Sequence, residues 1–188
     1  AVGRTKTRLA RDIGPVRAAR FARRLTSTVI GGIGRDPRWR SCVWVAPDDQ
    51  AARGRWWPGV FVRYPQGGGD LDERMLRALR HGGAGPAVLV GSDIPDLSPG
   101  LIEEAFRALD RHDAVFGPAA DGGYWLVGFS GLRPIGNPFR HVRWSTSHAL
   151  CDTLANLRPG LRVAMLPVLH DVDRGEDLSD AALKLMSV

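Results

Sequence analysis

At 188 residues and 44% hydrophobic, the chain can bury one sizeable core, and it contains no apolar run long enough to cross a bilayer. Its two cysteines form neither a C-x-x-C pair nor a disulfide framework, and no signal-peptide pattern opens it, so a reducing cytoplasm is expected. The formal net charge of +6, almost wholly arginine, fits either a solvated basic surface or an anionic partner such as a nucleotide or nucleic acid.

The chain opens on Ala1 rather than Met and its first motif follows at once, from which an upstream segment is expected. That motif is Gly3-Arg4-Thr5-Lys6-Thr7-Arg8-Leu9, three cations and two hydroxyls crowding a glycine ahead of a helix. Such a loop can offer backbone N–H groups and guanidinium forks to phosphate oxygens, although it lacks the spacing of a Walker loop. A frayed basic terminus would read the same way.

Pro15 after Gly14 opens a helix that runs to the break at Gly31-Gly32-Ile33-Gly34. Ala18, Phe21, Ala22, Leu25 and Val29 fall on one side of it, and Arg17, Arg20, Arg23 and Arg24 on the other. A solvated face accounts for the arginines without nucleic acid. Residues 42–46 and 60–63 read as strands, the first stopped by Pro47-Asp48-Asp49. Asp70 caps the next helix with Glu73 three residues on, and Leu71, Met75, Leu76 and Leu79 supply its apolar side.

Then comes Val88-Leu89-Val90-Gly91-Ser92-Asp93-Ile94-Pro95. An apolar run without alternation predicts a central parallel strand buried on both faces. Asp93 stands just past its carboxyl end, where open α/β sheets bind ligands, and is the best single candidate for a metal or substrate contact. A turn former would look similar. Ser98-Pro99 starts a helix carrying Ile102, Ala105, Phe106 and Leu109. Residues 114–117 and 124–129 are strands around Ala120-Asp121-Gly122-Gly123-Tyr124-Trp125, whose glycines suit either a hairpin turn or close approach to a ligand.

Residues 131–137 read as an exposed loop, 145–154 as a helix, 162–166 as a strand and 176–186 as a closing helix. Before the last lies His170-Asp171-Val172-Asp173, which in extended form points both aspartates one way. With Asp93 they would make an oxygen-rich site for Mg²⁺ or Mn²⁺; a capping box from Asp173 to Glu176 is the plainer alternative. Trp56, Trp57, Trp125 and Trp144 can line an acceptor pocket or the core, the core being the commoner use. Alternating strands and helices predict one α/β layered domain over residues 1–188.

Five blocks occur in order: Gly3-x-x-Lys6-Thr7-Arg8-Leu9, Gly69-Asp70-Leu71-x-Glu73-Arg74-Met75, Gly91-Ser92-Asp93-Ile94-Pro95, Gly117-Pro118-Ala119-x-Asp121-Gly122-Gly123-Tyr124 and Asp171-Val172-Asp173-x-x-Glu176-Asp177-Leu178. Together they resemble the bacterial glycosyltransferase-like family labelled transferase 1 associated with radical-SAM and selenium domains. Some of its members are glycosyltransferases of arsenosugar biosynthesis. The family is similar to the nucleotide-diphospho-sugar transferase superfamily.

The resemblance implies a GT-A-type, Rossmann-like fold, a mostly parallel mixed sheet with helices on both faces and the nucleotide at the strand ends. It implies that Gly3, Arg4, Lys6 and Arg8, with Ser92, hold nucleotide phosphates, and that Asp93, Asp173 and Asp171 hold Mg²⁺ or Mn²⁺. It places Asp121, Gly122, Gly123 and Tyr124 on the acceptor side, Asp93 and Asp121 being the catalytic candidates. The family's usual first strand and Lys-x-Pro segment are missing here, and Arg174-Gly175 replaces the commoner Thr-Pro.

The expected reaction is metal-assisted transfer from a nucleotide-activated donor to a small-molecule acceptor. Glycosyl transfer stands ahead of nucleotidyl transfer with release of pyrophosphate, and a non-catalytic nucleotide- or nucleic-acid-binding module is the reading from another class. No membrane partner is expected, and the oligomeric state is open.

Overall fold

The structure is a computed structural model that describes residues 6–53, 61–172 and 175–177. Its elements are α1 (Thr7–Ile13), α2 (Pro15–Gly34), β1 (Cys42–Val45), α3 (Asp49–Arg53), β2 (Val62–Pro65), α4 (Leu71–His81), β3 (Ala87–Val90), α5 (Pro99–Leu109), β4 (Ala114–Pro118), β5 (Tyr124–Phe129), α6 (Ala149–Ala155) and β6 (Val163–Met165). A short 3₁₀ turn, Gly175–Asp177, follows. The fold is mixed α/β, as the alternation predicts.

Among the described residues β1 pairs with β2 in parallel, and a second sheet has the order β3-β5-β4-β6. β5 is antiparallel to both β3 and β4, while β4 and β6 are parallel. Hence β3, β4 and β6 share one direction and only β5 runs against them. The carboxyl ends of three strands and the start of β5 therefore meet at one edge. The hydrogen bond from Gly91 N to Trp125 O, 2.9 Å, carries the β3–β5 ladder up to that edge.

Period-two alternation distributes the core over both faces of the sheet. Val115 and Leu126 join Ile102, Ala105 and Leu109 of α5 in one apolar cluster. Ala114, Phe116, Val127 and Phe129 join Leu76 and Leu79 of α4 in the other. α4 begins with the expected capping box between Asp70 and Glu73, and Ser98 accepts from Leu101 N at the start of α5. Leu71, though, is exposed at the first position of α4.

Three expectations change. The block around Lys6 is not a free loop: Thr7, Arg8 and Leu9 form the first turn of α1, and Leu9 is fully buried with Phe21, Leu25 and Val172. The glycines at 31, 32 and 34 do not break α2, since Gly34 makes room for the Phe61 ring that a Cβ would overlap. β3 is neither central nor fully buried among the described strands: its four residues are half-buried and its partner β5 is antiparallel. The deep strands are β4 and β5. An unbroken apolar run reports burial without saying which strand lies innermost.

Element ends shift for local reasons. Residues 145–148 precede α6 rather than belonging to it, because Ser145 adopts φ 60° and Thr146 turns back to Arg143 O. α3 was not foreseen behind Pro47-Asp48-Asp49. Of the closing helix expected at 176–186, residues 176 and 177 belong to the short 3₁₀ turn, and the rest, like the tryptophans at 56 and 57, lies outside the described residues. Trp125 is core: it is 2% exposed, with its Nε1 donating to Pro167 O at 3.1 Å. Trp144 packs against Tyr124 and Phe139. No described helix is long and apolar enough to cross a membrane.

Candidate functional site

Lys6 caps α1 in the left-handed conformation, φ 50° and ψ 53°. From there its Nζ reaches Asp93 Oδ2 at 2.8 Å, although 87 residues separate the two in sequence. The lysine side chain is 8% exposed and the aspartate 45%, so the pair closes on the protein side and opens toward solvent. A lysine this buried needs a carboxylate, since an unpaired ammonium out of water is costly. Asp93 itself is folded back toward the backbone: a Cβ on Gly91 would stand 3.0 Å from its Oδ1. Ser92 is exposed beside it, and Arg8 is exposed in the first turn of α1.

Two further segments reach the same edge. The β4–β5 turn is closed by Ala119 N to Gly123 O at 3.0 Å and Gly122 N to Ala119 O at 3.1 Å. Asp121 Oδ1 accepts from Gly123 N at 2.8 Å, so this aspartate shapes its own turn and remains exposed. Gly122 takes φ +86° and faces the Ser147 backbone, with Leu150 N donating to its carbonyl at 3.1 Å.

Beyond β6 the chain crosses the strand ends. Leu169 N donates to Pro118 O at 3.1 Å and Ala120 N to Leu169 O at 3.0 Å, while Val172 is buried against Leu9 of α1. Gly175 N then donates to Asp12 Oδ2 at 2.8 Å. Asp171 is thus held between the Asp121 turn and α1.

The expected residues divide accordingly. Lys6 and Asp93 are in contact; Asp121, Gly122 and Gly123 form one turn; Asp171 lies on the segment that joins the two. Gly3, Arg4 and Asp173 lie outside the described residues. Tyr124 has a packing role, its ring edge-on to Phe116 and its hydroxyl 3.3 Å from Thr153 Oγ1. Burial pushes that hydroxyl well above the usual phenol range.

Among the described residues no three of His, Cys, Asp and Glu come together as a metal-holding group, and the Asp93 carboxylate faces an ammonium. Of the three aspartates expected to hold a cation, Asp93 and Asp171 are described and Asp173 is not. What the motif reading missed is the stretch 143–148. Arg143 clamps Asp152 through Nε and Nη2 at 2.9 and 2.7 Å, holding its carboxyl below the usual range, and Ser147 backs Gly122. The Ser-Thr-Ser run was the available signal, because such residues favour helix starts over helix interiors.

Residues 29–146 match DUF2064, a family described as uncharacterized proteins conserved in bacteria. The chain belongs to the DUF2064 family. A DUF2064 chain with this architecture is also similar to a solved protein from Desulfovibrio desulfuricans G20, proposed to be a nucleotide-diphospho-sugar transferase. The likeness has a TM-score of 0.82 at 31% identity and covers 95% of this chain and 80% of that one. No curated protein matches. These likenesses support the superfamily to which the five sequence blocks point. They do not reach the arsenosugar branch.

Proposed function

We propose that this DUF2064 protein is a glycosyltransferase that takes its donor from a nucleoside diphosphate sugar and delivers the sugar to a small-molecule hydroxyl acceptor. The observation that carries the reading is the Lys6–Asp93 pair at the carboxyl end of β3, in a fold similar to the Desulfovibrio protein. Strand ends are where such sheets hold nucleotides, and a cation there faces the phosphates.

In the proposed step the bond between the sugar's anomeric carbon and the diphosphate oxygen breaks. A bond from the acceptor oxygen to that carbon forms, and the acceptor proton passes to Asp121. Lys6 offsets the charge that grows on the leaving diphosphate, with Arg8, Arg4, Gly3 and Ser92 completing the phosphate contacts. Asp171 and the glycines at 122 and 123 bound the acceptor side. Asp93, Asp171 and Asp173 would hold Mg²⁺ or Mn²⁺ in the family expectation, and the ion would there help to neutralise charge on the leaving diphosphate. The arsenosugar type of acceptor is the finer form of the same proposal.

The test is to incubate the protein with nucleotide sugars and acceptor candidates and to follow the nucleotide product. Release of nucleoside diphosphate with sugar on the acceptor supports the reading. Pyrophosphate released from a nucleoside triphosphate overturns it in favour of nucleotidyl transfer.

A further inference from the structure

The outer side of α2 carries four arginines, and the helix contains no acid. We infer that this face is a docking surface for an anionic lipid bilayer, on which the protein rests peripherally through Arg17, Arg20, Arg23 and Arg24. The inference goes beyond the transferase reading and does not depend on it.

The charge map points there first. Residues 1–34 carry eight Lys and Arg against the single acid Asp12, whereas the rest of the chain carries 18 against 19 Asp and Glu. Asp12 is itself engaged, accepting from Gly175 N at 2.8 Å. At 3.6 residues per turn the four arginines share about a third of the circumference of α2, opposite the buried Ala18, Phe21, Leu25 and Val29. Arg17, Arg20 and Arg23 are exposed and Arg24 is half-buried. Among the described residues no ion pair engages any of the four.

The other helices show what a solvated face looks like in this protein. α5 pairs Arg107 with Glu103, and α4 sets Asp72 and Glu73 against Arg74, Arg77 and Arg80. Mixed signs let neighbours one turn apart attract each other. α2 does the reverse, and it places Arg17 in its first turn, at the positive end of the helix dipole. That arrangement costs helix stability, and a negatively charged surface laid on the face offsets the cost.

Two features favour a bilayer over nucleic acid. The arginine face has no aromatic, Asn or Gln side chain to stack on a base or read its edge; Phe21, the one aromatic of α2, is 2% exposed in the core. The face does hold Val16, 60% exposed, four residues before Arg20 and seven before Arg23 and so on their side of the helix. An apolar side chain among guanidinium groups suits the headgroup boundary, where basic residues meet anionic lipid and apolar ones enter. The four arginines span about 10 Å of the axis, a patch beneath which mobile headgroups can gather. Docking of this kind needs no membrane-spanning helix.

The experiment is sedimentation of the full chain with vesicles of phosphatidylcholine alone and with about one-third phosphatidylglycerol. Wild type should bind only the anionic vesicles, and binding should fall tenfold or more when salt shortens the Debye length to about 3 Å. Arg17→Gln and Arg20→Gln should each weaken it about fivefold, since glutamine keeps the helix propensity and removes the charge. Arg111→Gln/Arg158→Gln, with the same loss of net charge as Arg17→Gln/Arg20→Gln but away from α2, should leave binding within twofold of wild type. Val16→Ser should weaken binding at low and high salt alike, because an apolar contact is not screened.

Equal binding to neutral and anionic vesicles, binding to neither, or equal losses in the two double variants would overturn the inference and leave α2 a solvated face. Tighter binding to duplex DNA or single-stranded RNA than to anionic vesicles at equal phosphate concentration would overturn it in favour of a nucleic-acid surface. With neither donor nor acceptor present, each of these results leaves the transferase reading standing.

Discussion

The α-carbon of Gly122 lies against the backbone of Ser147, so close that a Cβ at 122 would overlap the Ser147 carbonyl. Gly122 also takes φ +86°, a conformation that alanine adopts only under strain. Gly122→Ala should cost about 2–4 kcal/mol from the left-handed penalty and overpacking combined. Urea denaturation measures it, and a loss under about 0.5 kcal/mol would mean that the turn and the 143–148 segment part without cost.

Asp121→Asn separates the turn role from the chemical one. The amide oxygen can still accept from Gly123 N, so the thermal midpoint should stay near that of wild type. Turnover should fall by about 10²-fold or more if the carboxylate takes the acceptor proton. Full activity in Asp121→Asn would leave this residue a turn former only.

Asp113 governs acid stability at the far end of β4. It is 3% exposed and accepts from Arg162 N at 2.8 Å, with Arg133 and Arg162 guanidinium nitrogens at 3.6 and 3.7 Å. The Arg162 backbone N–H first, and the two arginine charges after it, hold its carboxyl below the usual range. A lowered folded pKa means that the folded state binds the proton more weakly than the unfolded chain. The stabilisation is therefore present above about pH 4 and fades as pH falls below it. In Asp113→Asn the midpoint should lose that dependence below about pH 4. Parallel wild-type and variant curves over that window would contradict the assignment.

Trp125 pins the site edge to the core. Its indole lies over Gly117, where a Cβ would overlap the ring, and its N–H reaches Pro167 O just before the chain turns toward Asp171. Trp125→Ala should cost about 3–5 kcal/mol, and chemical denaturation gives the value directly. A cost near that of a surface change would place the indole outside the core.

Asp70→Ala removes one half of the capping box at the start of α4 and should cost about 1 kcal/mol. A midpoint equal to wild type would show that Glu73 alone secures that helix end.

The amino-acid order by itself determined the local grammar. Ser98-Pro99, the Asp70–Glu73 pair and the unbroken apolar run of residues 124–129 fix their elements, because capping and local side-chain character are settled within a few residues. It also placed Asp93 at a strand end and put the five blocks in order. Only the tertiary structure decided what Asp93 meets. Lys6, in a block that read equally well as a loose basic terminus, arrives there through the burial of Leu9 against α2 and Val172. A contact across 87 residues depends on packing that no local pattern encodes. For the same reason β3 read as an inner parallel strand but lies beside a reversed β5. Hydrophobicity records how much of a strand is covered, and topology alone decides by what.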